Sequence, residues 1–288
     1  MVKAFDYLGV VFRTCLAAFL FVAIQITVDV FFYVFSINRE VYAGLFTTVC
    51  SLVSVGVFLL YHFIRSYKRE KLIKFNRPNA SYVVVGVVIA FGMLGLVSLY
   101  MIAAEAISNM AAAVQDELQQ YNESMDRFTE VEKAQVPMWD IVLDFIGSGL
   151  LAPLSEELAF RGSVYGELRG KFNVVISMIA SSLIFGILHG ISIHIGYALI
   201  CGMILALVYE FSGSIWLSFI VHAIFNVMGS EIYNILDSGL FGNIGSFSYD
   251  ALTIFTLTEF VCIFPAIASL VLLGKDYKRR KKEAEVAA

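Results

Sequence analysis

Long apolar runs alternate with short polar links along the chain. Eight such runs lie over 9–36, 41–64, 81–107, 138–160, 172–190, 194–211, 214–234 and 251–273. A helix needs about 20 mostly apolar residues to cross the hydrocarbon core of a bilayer, and most of these runs reach that length. The pattern predicts an all-α protein, a polytopic transmembrane bundle of about eight helices. Residues 1–288 are expected to form a single integral membrane domain.

The composition indicates that lipid, rather than water, surrounds most of the protein. Of the 288 residues, 59% are hydrophobic and 15% are charged, whereas an ordinary soluble domain has about 25% charged residues. These figures exclude a disordered chain, a secreted disulfide scaffold and a nucleic-acid-binding module. Membrane lipids are therefore expected partners, and nucleic acid is not.

Basic residues are concentrated in links that the positive-inside rule assigns to the cytoplasm. Residues 65–80 contain six Lys or Arg and one Glu, and the tail over 275–288 contains six Lys or Arg. Residues 108–136 carry six acidic and two basic side chains, and 235–250 carry no Lys or Arg, so both links are predicted outside. Eight spans satisfy these assignments. They predict a multi-pass protein of the cell membrane with a cytoplasmic N-terminus and a basic cytoplasmic tail.

Two adjacent carboxylates and an arginine interrupt the fourth apolar run. Glu157 and Arg161 are four residues apart, so they lie on one helix face and can pair. Glu156 is rotated from Glu157 by about 100° and is left out of that pair. Because charges inside a membrane are expensive and usually line a site, we interpret Glu156 as the carboxylate available for chemistry. A helix end with a surface ion pair is the structural alternative.

Two histidines and an asparagine lie in later apolar runs. His189 follows Phe185 by four residues, and Asn226 follows His222 by the same spacing, so each pair shares a helix face. Counted from the polar turn between their runs, Glu156 and His189 lie at depths that differ by about 6 Å. We therefore expect these groups to converge inside the bilayer. A buried core histidine and an interhelical hydrogen bond are the structural alternatives.

Three other polar residues are interpreted without a catalytic role. His62 precedes the basic loop, which predicts a side chain that reaches towards the membrane interface. Asp140 and Asp144 are four residues apart near the outer start of the fourth run, and we interpret them as lining a watery cavity.

Three ordered patterns resemble those of the CPBP family: E-E-x-x-x-R over 156–161, F-x-x-x-H over 185–189 and H-x-x-x-N over 222–226. This family comprises the CAAX-prenyl endopeptidases and the Abi-type bacteriocin-processing and immunity proteins. The resemblance covers about 138–234, which we take as a CPBP-like catalytic core. It implies a glutamate-dependent intramembrane endopeptidase with an eight-helix core.

The same resemblance divides the polar residues into two groups. The catalytic group comprises Glu156, His189, His222 and Asn226. The structural group comprises Glu157, Arg161 and Phe185. The glutamate and first histidine of the catalytic group would activate water, and the second histidine and the asparagine would stabilise the oxyanion.

The need for a metal stays open at this point. Two histidines and a glutamate can bind zinc and leave a position for water, so Glu156, His189 and His222 would be its ligands. The chain has no H-E-x-x-H pattern, and these ligands would come from three helices. We therefore favour a mechanism without a cofactor.

The predicted function is hydrolysis of peptide bonds in membrane-associated or lipidated peptides and proteins. The alternative is a non-proteolytic membrane scaffold or regulator, an immunity-type partner of another membrane protein. A proton-coupled transporter is disfavoured, because the sequence shows neither an internal repeat nor paired broken helices.

Overall fold

A computed structural model describes residues 2–68, 72–108, 114–119, 136–190, 192–232 and 249–287. Within these ranges the main helices are α1 (Val2–Val34), α2 (Ala43–Lys68), α3 (Ala80–Ser108), α4 (Met138–Arg169), α5 (Val174–Ile187), α6 (Ser192–Ser212), α7 (Ile215–Glu231) and α8 (Tyr249–Ala287). A short helical stretch covers 114–119, and the described ranges contain no β-strand.

Each predicted apolar run forms one of these helices, so the all-α polytopic bundle is confirmed. Among the described residues, six helices are long and apolar enough to cross a membrane, while α5 and α7 are shorter apolar helices. These lengths and compositions make the chain a multi-pass membrane protein. The links predicted outside, over 108–136 and 235–250, lie largely beyond the described residues, and the sidedness of the termini stays a prediction.

Side-chain caps set the first residues of three helices. Asn79 before α3, Asn173 before α5 and Ser214 before α7 each accept a hydrogen bond from the backbone N–H three residues further on. Such a cap stabilises a helix by about 1 kcal/mol. Gly213, with φ of +66°, makes the tight turn between α6 and α7, a conformation that disfavours other residues.

Helix α4 departs twice from regular α geometry. It is π-helical over Gly147–Leu151 and again over Glu157–Tyr165, with one α-helical segment, Ala152–Glu156, between them. Wide π-turns are rare and occur frequently at functional sites. Glu156 is therefore the last residue of an α segment, and Glu157 is the first residue of a π segment.

The largest apolar cluster is built around α4. Phe160 and Tyr165 of this helix are buried together with Phe58 of α2, Phe185 of α5 and Tyr209 of α6. Phe160 meets Phe185 edge-on with ring centroids 4.9 Å apart, and Tyr165 meets Tyr209 in the same way at 5.9 Å. Edge-to-face packing is favourable for aromatic rings. Helix α4 is thus surrounded by α2, α5 and α6.

Two buried carboxylates anchor the C-terminal end of α4. Glu167 accepts hydrogen bonds from Arg13 of α1 at 2.8 Å and from Arg65 of α2 at 2.7 Å. Glu210 of α6 accepts one from Arg169 at 3.0 Å. Buried charges persist where they are paired in this way. The end of α4 is therefore fixed to three neighbouring helices.

Asp140 anchors the N-terminal end of α4 to α2. Its side chain is 1% exposed and accepts from the backbone N–H of Gly44 at 2.9 Å and of Leu45 at 2.8 Å. It therefore caps the N-terminus of a neighbouring helix. The prediction that Asp140 lines a watery cavity is wrong, because its carboxylate is buried and accepts from those two N–H groups. Asp144, half-buried, accepts from the Ser148 hydroxyl at 2.8 Å.

Candidate active site

The two glutamates of α4 have different surroundings. The Glu157 side chain is completely buried, whereas that of Glu156 is 17% exposed. Glu156 is therefore the carboxylate that water or a substrate can reach. This difference arises where the α-helical segment meets the longer π segment.

Glu157 is enclosed by one cation and two hydrogen-bonding side chains from two helices. Arg161 lies 3.0 Å from one carboxylate oxygen, and Nδ1 of His222 lies 3.0 Å from the same oxygen. The hydroxyl of Ser218 donates to the other oxygen. A buried carboxylate keeps its charge when it is paired and hydrogen-bonded in this way. Glu157 thus joins α4 to α7.

Arg161 is held by more than its carboxylate partner. It donates to the carbonyl of Gly202 in α6 at 3.3 Å, and its guanidinium carbon lies 4.8 Å from the centre of the Phe185 ring. A guanidinium over an aromatic face is favourable, particularly where water is excluded. Arg161 therefore joins α4, α5 and α6 behind the site.

His222 lies between the two carboxylates. With Nδ1 beside Glu157, its Nε2 faces the Glu156 carboxylate at 3.6 Å. The buried glutamate therefore orients the imidazole, in the way that a carboxylate orients a reactive histidine elsewhere. Nε2 is the nitrogen left for a reaction at Glu156.

His189 lies on the turn that follows α5. Its Nδ1 is 2.7 Å from the carbonyl oxygen of Phe185, and its ring centroid is 4.3 Å from the Phe185 ring. The His222 ring is 6.2 Å from the same phenyl ring. Phe185 therefore touches both histidines. Because a carbonyl only accepts, Nδ1 of His189 carries a proton in this contact, and Nε2 is left as the acceptor of a neutral ring.

Asn226 reaches back to the first π segment of α4. Its amide nitrogen donates to the carbonyl of Ser148 at 3.0 Å. An amide NH2 has two hydrogens, so a second donor is left. The structure therefore brings Glu156 and His222 into contact, sets His189 and His222 around one phenyl ring, and attaches Asn226 to the helix that carries Glu156.

Comparison with known proteins finds a family model that is similar to this part of the chain. Residues 138–228 match the family model described as type II CAAX prenyl endopeptidase Rce1-like. The resemblance drawn from the three patterns is thereby confirmed, and it supports a membrane peptidase.

Two curated relatives each match part of the chain. The Bacillus subtilis (strain 168) protein named "Putative membrane peptidase YdiL" is 28% identical over 134 residues, which are 46% of this chain and 55% of that protein. The Lactococcus lactis subsp. lactis (strain IL1403) "UPF0177 protein YxdF" is 33% identical over 91 residues, 31% of this chain and 50% of that protein. The chain thus spans about half the length of each relative. No solved structure matches it significantly.

The three predicted zinc ligands do not make a metal site as they are arranged. Among the described residues of the chain, no three His, Cys, Asp or Glu side chains lie close enough together to hold a metal ion. As they are arranged, Glu156, His189 and His222 therefore do not fit a bound zinc.

Two polar residues next to the site, Ser218 and His62, were not predicted there from the sequence. Ser218 lies four residues before His222, and this spacing could have identified it as a second ligand of the buried glutamate. His62 is 5% exposed and bonds to the carbonyl of Leu158, so its predicted place at the membrane interface is wrong. No local signal could have found this contact, because 96 residues separate the two partners.

Proposed function

We propose that the chain is an intramembrane endopeptidase that hydrolyses peptide bonds of membrane-associated or lipidated peptides and proteins. The observation that carries the proposal is the asymmetry of the two glutamates around His222. One carboxylate is buried and paired, while the other is partly exposed and faces the remaining nitrogen of the same imidazole. Such an arrangement separates a group that orients from a group that reacts.

Glu156 acts as the general base in this proposal. It accepts a proton from water, and the resulting hydroxide adds to the carbonyl carbon of the peptide bond. The protonated glutamate then delivers that proton to the leaving amine as the C–N bond breaks. Nε2 of His189, which is the free acceptor of its ring, orients the water. General acid–base catalysis of this kind contributes about 10²- to 10⁴-fold to a rate.

The short length of α5 supports the proposal that water can reach His189. Its 14 residues rise by about 21 Å, less than the roughly 30 Å hydrocarbon core. If α5 begins at the membrane surface, next to the basic link at Arg169 and Lys171, the turn that carries His189 would lie within the depth of the membrane. Non-helical backbone at that depth is tolerated where it is buried in protein or lines a water-filled cavity.

His222 and Asn226 supply the oxyanion donors in this proposal. Nε2 of His222, once protonated, and the second amide hydrogen of Asn226 would donate to the oxygen of the tetrahedral intermediate. The donors are held in advance by Glu157 and by the Ser148 carbonyl. Donors fixed before the reaction stabilise developing charge most effectively. All of these steps use side chains of the protein and no cofactor.

The decisive test is Glu156→Gln, which keeps the shape of the side chain but removes its basicity. Wild type and variant would be purified in detergent and assayed against a mixed library of membrane-associated and lipidated peptides. We expect a loss of at least about 10²-fold in kcat. Glu259→Gln is the matched control, since Glu259 is also buried, lies on α8 and accepts from the Ser98 hydroxyl.

The two variants give opposite outcomes if the proposal is right. Cleavage by wild type and Glu259→Gln, but not by Glu156→Gln, would support it. Wild-type cleavage by Glu156→Gln would refute the role of this glutamate. Folded wild type that cleaves no member of the library would favour the scaffold function instead. Metal content measured on the same samples would test the mechanism without a cofactor.

A further inference from the structure

We propose that His62 of α2 is a positioning residue for the glutamates of α4, an inference that rests on the proposed function. Its Nε2 lies 3.2 Å from the carbonyl oxygen of Leu158, the residue that directly follows the two glutamates. The hydroxyl of Ser163 donates to the same carbonyl at 3.2 Å and lies 3.3 Å from Nε2. Because a carbonyl only accepts, Nε2 of His62 carries the proton.

Helices α2 and α4 keep a common register from their N-terminal ends to this contact. Asp140 binds the backbone N–H of Gly44, and His62 binds the carbonyl of Leu158. From position 44 to 62, and from 140 to 158, each helix advances by the same 18 residues. The two helices therefore run in parallel, and His62 marks the end of the shared register.

Immediately beyond His62, the two helices no longer advance by equal numbers of residues between their contacts. Arg65 follows His62 by three residues, whereas its partner Glu167 follows Leu158 by nine. The additional residues of α4 fall almost entirely within its second π segment, Glu157–Tyr165. A π-turn holds more residues than an α-turn, and the long Arg65 side chain spans what remains. His62 thus holds α4 at the point where its geometry changes.

Gly162 provides the space for this contact. A Cβ atom at position 162 would lie 2.6 Å from Nε2 of His62 and 2.9 Å from the side chain of Ile73. The imidazole therefore lies directly against the backbone of the π segment. His62 is 5% exposed, and its Nδ1 has no hydrogen-bond partner in the part of the chain that the structure describes. Its buried polar contact is thus directed at α4.

Loss of this contact should disturb the glutamates because both ends of α4 are fixed. Asp140 anchors one end and Glu167 anchors the other. A change in the number of residues per turn between these anchors must then appear as a rotation of the segment that carries Glu156. A displacement of about 1 Å at a distance from the reaction can cost 10²-fold in rate.

The test compares His62→Leu, which removes the donor, with His62→Gln, whose amide can still donate to the Leu158 carbonyl. Ser54→Ala is the matched control on α2, since Ser54 is buried and its hydroxyl has no partner among the described residues. Two quantities are measured in detergent for each variant. One is hydrogen–deuterium exchange of the amides over 157–165, and the other is kcat and KM for the lipidated peptide that wild type cleaves fastest.

For His62→Leu we expect faster amide exchange over 157–165 and a fall in kcat of about 10- to 100-fold, with KM little changed. His62→Gln and Ser54→Ala should resemble wild type in both measurements. His62→Leu with wild-type exchange or wild-type kcat would overturn the proposal, and so would equal damage in His62→Gln. If wild type cleaves no peptide, the proposed function fails, and the exchange measurement alone decides whether His62 holds the π segment.

Discussion

The buried pair of Glu157 and Arg161 makes the sharpest prediction about stability. Arg161→Met removes the charge and keeps much of the apolar volume of the side chain. Loss of one partner from a buried ion pair costs about 3–5 kcal/mol, because it leaves the other charge uncompensated. Glu157 would retain two donors, His222 and Ser218, so we expect the lower end, about 3 kcal/mol.

Glu157→Gln should be the more damaging of the two single changes. In this variant, the polar and aromatic contacts left to Arg161 among the described residues are the carbonyl of Gly202 and the ring of Phe185. We therefore expect the upper end of the range, about 4–5 kcal/mol. The double variant removes both charges and should lose about 2–3 kcal/mol less than the sum of the single changes.

The assay is reversible unfolding in mixed micelles with an increasing fraction of denaturing detergent. Arg39→Met is the matched control, since Arg39 and Asp29 also lie 3.0 Å apart but are 60% and 52% exposed. An exposed pair contributes about 0–1 kcal/mol, so the control should be nearly neutral. If Arg161→Met destabilises no more than Arg39→Met, or if the double variant loses as much stability as the sum of the single changes, the buried ion pair does not contribute as expected.

Two further predictions concern packing and catalysis. Gly44→Ala would place a Cβ atom 2.0 Å from the Asp140 carbonyl oxygen and should destabilise the protein by about 1–3 kcal/mol or more. Gly56→Ala on the same helix meets nothing within 4 Å and should be neutral or stabilising. The same unfolding assay compares the two variants, and equal effects would contradict the close approach of Gly44 to α4. Asn226→Ala should lower kcat by about 10²- to 10³-fold with a loss of stability near 1 kcal/mol, and unchanged peptide cleavage would remove Asn226 from the oxyanion site.

Local sequence carried most of the information about the membrane helices. The apolar runs predicted all eight main helices of the described residues, because the length and composition of a run decide whether it can cross a bilayer. The spacing of Glu157 and Arg161 predicted their pairing, since residues four apart are neighbours on a helix. The ordered patterns around these residues also predicted the similarity to the Rce1-like family model.

Contacts between helices could not be read from the sequence in the same way. His222 was expected to share a helix face with Asn226, but its position between two carboxylates of α4 depends on how α7 packs against α4. His62 and Asp140 were misread for this reason. Each lies where its local sequence suggests an interface or a cavity, and each is buried by a partner 96 residues away.

The π segments of α4 show most clearly what the sequence predicts and what it leaves undetermined. Apolar periodicity predicts that residues 138–160 are helical, but it does not distinguish an α-turn from a π-turn. The π segments lie among long-range contacts: Asp140 holds one end of α4, Glu167 holds the other, and His62 bonds to the backbone between them. The sequence by itself therefore determined which segments are helices and which polar groups they carry. Only the tertiary structure decided which groups meet, because packing between distant helices fixes their depth and rotation.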